Sequence, residues 1–185
     1  VYLEEQAAVM TPVGILPAEH ITFYEEGGIR RLFPLYGQLN GYWTEENEYE
    51  LAPQLYLPIL GEQICCKPLC IHFYPGGALY SVTIWNRSSI TVKTLYGPVT
   101  TRFGLSFYED GKLKSIEPVF RTVLQTPSGT MFPYDPNHAL FHADNNSLQF
   151  DREGNIIGAK SYRQMSHDGG VPKNTAAQGK DPRSN

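Results

Sequence analysis

One nine-residue pattern, written four times, limits what this chain can fold into more than any other feature. Its copies are Ile21-Thr22-Phe23-Tyr24-Glu25-Glu26-Gly27-Gly28-Ile29, Ile71-His72-Phe73-Tyr74-Pro75-Gly76-Gly77-Ala78-Leu79, Leu105-Ser106-Phe107-Tyr108-Glu109-Asp110-Gly111-Lys112-Leu113 and Leu148-Gln149-Phe150-Asp151-Arg152-Glu153-Gly154-Asn155-Ile156. In each, an aliphatic residue stands two before a phenylalanine with a polar residue between them, the alternation of a strand with one buried face. A glycine lies four residues after each phenylalanine, at Gly27, Gly77, Gly111 and Gly154. A three-residue hairpin loop commonly ends at positive φ, which costs a side chain about 1 kcal/mol or more and suits glycine. Two residues on, Ile29, Leu79, Leu113 or Ile156 returns an aliphatic side chain. Each copy therefore predicts strand, tight turn, strand, with all four phenyl rings in a common interior at about 1.5–3 kcal/mol per buried side chain.

Upstream lies a second element: Thr11-Pro12-Val13-Gly14, Thr94-Leu95-Tyr96-Gly97 and Thr126-Pro127-Ser128-Gly129, with Leu60-Gly61 as a worn copy. Thr-Pro-x-Gly suits a β-turn, Pro presetting φ and Gly taking the strained position. A full unit is thus two linked hairpins. The phenylalanines are spaced 50, 34 and 43 residues apart, and periods of this size mean stacked units that bury apolar faces on one another. At 185 residues, 41% hydrophobic and 18% charged, the chain suffices for one domain with its own core. Its 17 Gly, 14 Pro and 12 Tyr favour turns and strands over helices.

The Phe-Tyr-x-x-Gly-x-aliphatic core resembles the variant MORN repeat of the YwqK-type, antitoxin-like group, and Gly37-Gln38-Leu39-Asn40-Gly41-Tyr42-Trp43 resembles the Gly-x-x-x-Gly-x-Trp element that follows such a core. The resemblance runs with gaps over residues 11–159. It implies an antiparallel meander of hairpins that serves as a binding or scaffolding surface and is not an enzyme. An all-β fold is therefore expected, a curved sheet or elongated roll over residues 1–165, since open sheets beyond about ten strands tend to curl. Residues 166–185 are rich in Gly, Lys, Asn, Gln and Ser and lack aromatics; they are expected to form a flexible polar tail.

If the phenylalanines point inward, Tyr24, Tyr74 and Tyr108 point the other way. They form either cross-strand structural pairs or, with Tyr42 and Trp43, a face for a protein partner. Asp151 replaces the tyrosine in the last copy, as suits a terminal unit open to water. Glu45, Glu46, Glu48 and Glu50 read as a solvated loop, with a site for a cation or a basic partner as the alternative, and Arg30 and Arg31 as offsets to Glu25 and Glu26 across one hairpin. Sheet edges on the first and last units invite self-association.

Two clusters could bind metal. Cys65, Cys66, Cys70 and His72 carry zinc-type ligands without a paired Cys-x-x-Cys knuckle, and buried packing is the alternative. An insertion at 134–144 carries Asp135, His138, His142 and Asp144; Ala139 stands where a zinc peptidase needs its glutamate. A small metal-dependent enzyme centred there is the rival to the scaffold. No nucleophile elbow, phosphate loop or dinucleotide fingerprint occurs, and no cofactor is expected. A formal charge of -4 without a basic cluster disfavours nucleic acid. No apolar run approaches the roughly 20 residues of a membrane span, so a cytoplasmic protein is the expectation. The start at Val1 leaves room for residues removed before it.

Overall fold

The computed structural model describes residues 1–36, 44–134 and 143–160. In chain order the first strands are β1 (Tyr2–Thr11), β2 (Gly14–Phe23), β3 (Ile29–Phe33), β4 (Leu55–Ile59), β5 (Glu62–Cys66), β6 (Pro68–Phe73) and β7 (Leu79–Ile84). They are followed by β8 (Ile90–Thr94), β9 (Gly97–Phe107), β10 (Leu113–Pro118), β11 (Leu124–Thr126), β12 (Gly129–Met131), β13 (Leu148–Phe150) and β14 (Ile156–Ala159). One helix, α1 (Glu45–Leu51), precedes β4. The protein is an all-β meander of antiparallel hairpins, as the repeat predicts.

The four glycine turns form, and they form alike. The N–H of Tyr24, Tyr74, Tyr108 or Asp151 donates to the carbonyl four residues on, and the glycine N–H three residues on donates back. Gly27, Gly77, Gly111 and Gly154 sit at φ 95°, 90°, 82° and 87°, the left-handed region that closes a bulged hairpin. The upstream Thr-x-x-Gly turns are equally alike. Thr11, Thr94 and Thr126 each donate their hydroxyl to the carbonyl of Gly14, Gly97 or Gly129, at 2.7, 2.8 and 2.8 Å. The Leu60-Gly61 turn is of another kind, with both residues at positive φ (51° and 80°).

The turn hairpins line up in one ten-stranded sheet, β1-β2-β3-β6-β7-β9-β10-β13-β14, with β8 pairing the first half of β9. Its register explains the core. Ile21, Leu32, Ile71, Val82, Leu105, Ile116 and Leu148 pair in succession across the sheet, and none is more than 5% exposed. The upstream hairpins β4-β5 and β11-β12 stand outside this sheet, yet Leu57, Ile59 and Leu124 belong to the same buried cluster.

Phe73, Phe107 and Phe150 are fully buried, but Phe23 is 47% exposed, which corrects the expectation of four rings in a common interior. The reason lies in how units overlap. Two upstream hairpins reach over the turn of the following unit: Pro12 lies against Gly77 and Leu95 against Gly154. Phe23 belongs to the first unit, and no upstream hairpin described here is placed over it.

Two further expectations are corrected. The acidic run is helix α1, started by Thr44, whose hydroxyl accepts from the Asn47 N–H at 3.2 Å. Arg31 does not offset the turn glutamates; its guanidinium bonds Asp144 at 2.6 Å, and Arg30 lies over the Tyr24 ring.

Candidate functional site

The three tyrosines expected to face a partner are half-buried, and their hydroxyls are used inside the fold. Tyr24 donates to the carbonyl of Phe73 at 2.7 Å, Tyr74 to that of Phe107 at 2.9 Å, and Tyr108 to that of Phe150 at 2.8 Å. Every bond runs from one unit to the next, onto the peptide that precedes the next unit's own tyrosine or its replacement. Asp151 ends the series by accepting from Asn155 N–H and Nδ2 at 2.7 and 3.0 Å within its own turn. Tyr42 and Trp43 lie outside the described residues.

Opposite the apolar row runs a polar one that the repeat also dictates. Thr22, Arg31, His72, Ser81, Ser106, Ser115 and Gln149 pair in succession across the sheet. Four of them, His72, Ser81, Ser106 and Ser115, are at least nine-tenths buried because the segment 143–147 lies over them. Asp144 is its anchor. One carboxylate oxygen accepts from Ser81 at 2.5 Å and faces His72 Nδ1 at 3.2 Å, while the other takes Arg31 Nη2 at 2.6 Å. Asn146 Nδ2 donates to Ser115, which bonds Ser106 in turn at 2.6 Å. Ala143 N–H donates to Thr83, and Ser147 N–H to the fully buried Glu117, which Arg102 pairs at 3.2 Å.

Gly104 makes this close seat feasible. A Cβ there, at φ 143°, would stand 2.0 Å from the Val82 carbonyl and 2.7 Å from the Ala143 side chain.

Burial alone would push the Asp144 carboxyl up. The hydrogen bonds from His72 and Ser81, with the charges of His72 and Arg31, outweigh it and hold the group at about 2. The carboxylate stands between serine and imidazole, whereas a nucleophilic triad needs the imidazole between. Ser81 therefore donates its hydrogen bond to a weakly basic carboxylate, with His72 bonded to that carboxylate and not to the serine hydroxyl. His72 must be protonated at Nδ1, since a carboxylate only accepts, and Nε2 is buried with no hydrogen-bond partner among the described residues.

The second cluster is only partly assembled. Cys70 and His72 share a face of β6, but burial pushes Cys70 up to about 12, with Arg31 lowering it less than burial raises it. Burial beside Cys65 puts Cys66 at about 12 as well. Such thiols stay protonated and are poor nucleophiles. Among the described residues no three of His, Cys, Asp and Glu are arranged to hold a metal. Asp135, His138 and His142 lie outside the described residues.

Sequence reasoning missed an aromatic cluster on β1–β3. His20 stacks between Tyr2 (4.2 Å) and Phe33 (5.1 Å), and Tyr36 closes on it at 4.6 Å. Burial, then the nearby positive N-terminus, lowers the His20 pKa. Tyr2 and Tyr36 remain 59% and 39% exposed. No motif marks the cluster; only the pairing of β1 with β2 at Tyr2 and His20 creates it.

Comparison with known protein families, with characterised proteins and with solved structures found no match. Among the described residues no helix is long and apolar enough to cross a membrane.

Proposed function

We propose that the protein is a non-catalytic, MORN-like repeat scaffold that binds a protein partner. The observation that carries this reading is the tyrosine bond from each unit to the next, repeated three times. It fixes neighbouring units in register and makes a preorganised surface, which lowers the ordering cost of association. The polar row under 143–147 is consumed in holding that segment down. The exposed rings of Tyr2 and Tyr36 supply the aromatic character that protein interfaces favour. Half-buried Tyr24, Tyr74 and Tyr108 contribute ring faces at the turns.

Affinity purification from the source cell tests this with three baits of equal fold by circular dichroism: the parent, Tyr2→Ala with Tyr36→Ala, and Tyr74→Ala with Tyr108→Ala. A partner of the parent lost from either variant supports the scaffold. Partners retained in full by both remove it.

A metal-dependent site is the second reading, favoured by one observation: the fold brings Asp144 within 3.2 Å of His72. Elemental analysis of chelator-free protein separates the two, because stoichiometric metal that disappears in His72→Ala supports the site and sub-stoichiometric metal removes it.

A further inference from the structure

β1 ends the large sheet, and among the described residues β2 is the only strand paired with it. Edge strands present unpaired N–H and C=O groups, and proteins guard them with charge, proline or bulges. Here the guards occupy only the first half of the strand. Glu4, Glu5 and Gln6 fall in the irregularity between Tyr2 and Ala7. From Ala7 to Thr11 the strand is regular, uncharged and free of proline, paired from Ala7↔Ala18 to Thr11↔Gly14.

The parity of the hairpin decides which groups face out. In a two-residue hairpin the closing pair, Thr11 and Gly14, turns its backbone groups inward, so Val9 and Ala7 also bond toward β2. Ala8 and Met10 are left with N–H and C=O on the open side. Their side chains share the exposed face of the strand, where Met10 is 72% exposed and pairs with Ile15, itself 65% exposed.

We infer that residues 7–11 pair with the same residues of a second copy, antiparallel about a two-fold axis at Val9, joining the two large sheets edge to edge. In that register Ala8 of each copy faces Met10 of the other, so the outward backbone groups of one meet those of its mate. Val9 faces Val9, and Ala7 faces Thr11. The arrangement is self-complementary because the paired stretch carries no charge. It also carries Glu4 and Glu5 past the mate's Gly14 and Val13, so the acidic halves never oppose each other. A two-fold contact closes at a dimer, whereas pairing β1 on β14 of another copy would be heterologous and build larger rings or open filaments.

Charge exchange on the full chain tests this independently of the partner reading. Ala8→Lys with Met10→Lys, and Ala8→Glu with Met10→Glu, alter exposed side chains and set two like-charged pairs across the axis, enough to weaken the dimer about tenfold or more. By analytical ultracentrifugation the parent is expected to be a dimer that dissociates on dilution. Each variant alone is expected to be monomeric, and their equimolar mixture to restore the dimer. Hydrogen exchange of the parent is expected to show protection at 7–11 that rises with concentration. A parent that stays monomeric, a parent that polymerises without limit, variants as dimeric as the parent, or a mixture that stays monomeric overturns the inference.

Discussion

Replacing Tyr24, Tyr74 and Tyr108 by phenylalanine, singly and in pairs, measures the bond that links the units. Each substitution deletes one hydroxyl and keeps the ring, so packing is preserved and only the bond to Phe73, Phe107 or Phe150 is lost. A neutral hydrogen bond contributes about 0.5–1.5 kcal/mol net, and an orphaned acceptor costs more when water cannot reach it. The donors are half-buried, which lets water partly replace them, so about 1 kcal/mol per site is expected. The pairs are more informative than the singles. The Phe73 carbonyl that Tyr24 grips belongs to the peptide whose nitrogen is that of Tyr74, so the acceptor of the first bond is joined directly to the residue that donates the second. Tyr24→Phe with Tyr74→Phe should therefore depart from additivity by about 0.5 kcal/mol or more. Tyr24→Phe with Tyr108→Phe, which share nothing, should add within about 0.3–0.5 kcal/mol. Urea midpoints at constant slope supply the numbers, and in a chain this long each kcal/mol appears as about 2–4 °C in melting. Singles that each cost less than about 0.3 kcal/mol, or equal coupling in both pairs, would refute the reasoning.

Further outcomes follow from the same geometry. Phe73→Ala should cost about 3–5 kcal/mol, while Phe23→Ala, at a ring 47% exposed, should cost under about 1 kcal/mol by urea denaturation; equal losses would contradict the overlap of units. Gly104→Ala should destabilise by about 2–4 kcal/mol and release the amides of 143–147 to hydrogen exchange, because its Cβ meets backbone that cannot yield. Asp144 has a folded pKa of about 2, below its ordinary 3.8. The stability it contributes is therefore fully present above about pH 4 and lost as pH falls toward 2. The shift corresponds to at most about 2–3 kcal/mol, nearer 2 once the one-fifth exposure of the carboxylate is allowed for. In Asp144→Asn that share of the acid-side decline should vanish from urea midpoints taken between pH 5 and 2, and an unchanged profile would show the carboxylate to be idle.

What the sequence reveals and what it conceals divide according to chain separation. The turns are local, written in a glycine four residues from a phenylalanine, and all four form as read. The polar row is half legible too: the residue between aliphatic and phenylalanine in each copy, Thr22, His72, Ser106 or Gln149, is one of its members. The other members, Arg31, Ser81 and Ser115, lie two residues past the returning aliphatic. No motif shows that these residues meet, because the meeting depends on strand register set by the apolar row one step away. A shift of one residue would send His72 and Ser81 into the core, so the hydrophobic pattern itself fixes the polar alignment. Asp144 was separable from its neighbours on no such basis. Its partners Arg31, His72 and Ser81 lie 113, 72 and 63 residues away, while its sequence neighbours suggested a metal-binding insertion. The ionic anchor follows from register: once His72 and Ser81 are fixed side by side on a buried face, an imidazole N–H and a hydroxyl need an acceptor there, and the returning chain provides it.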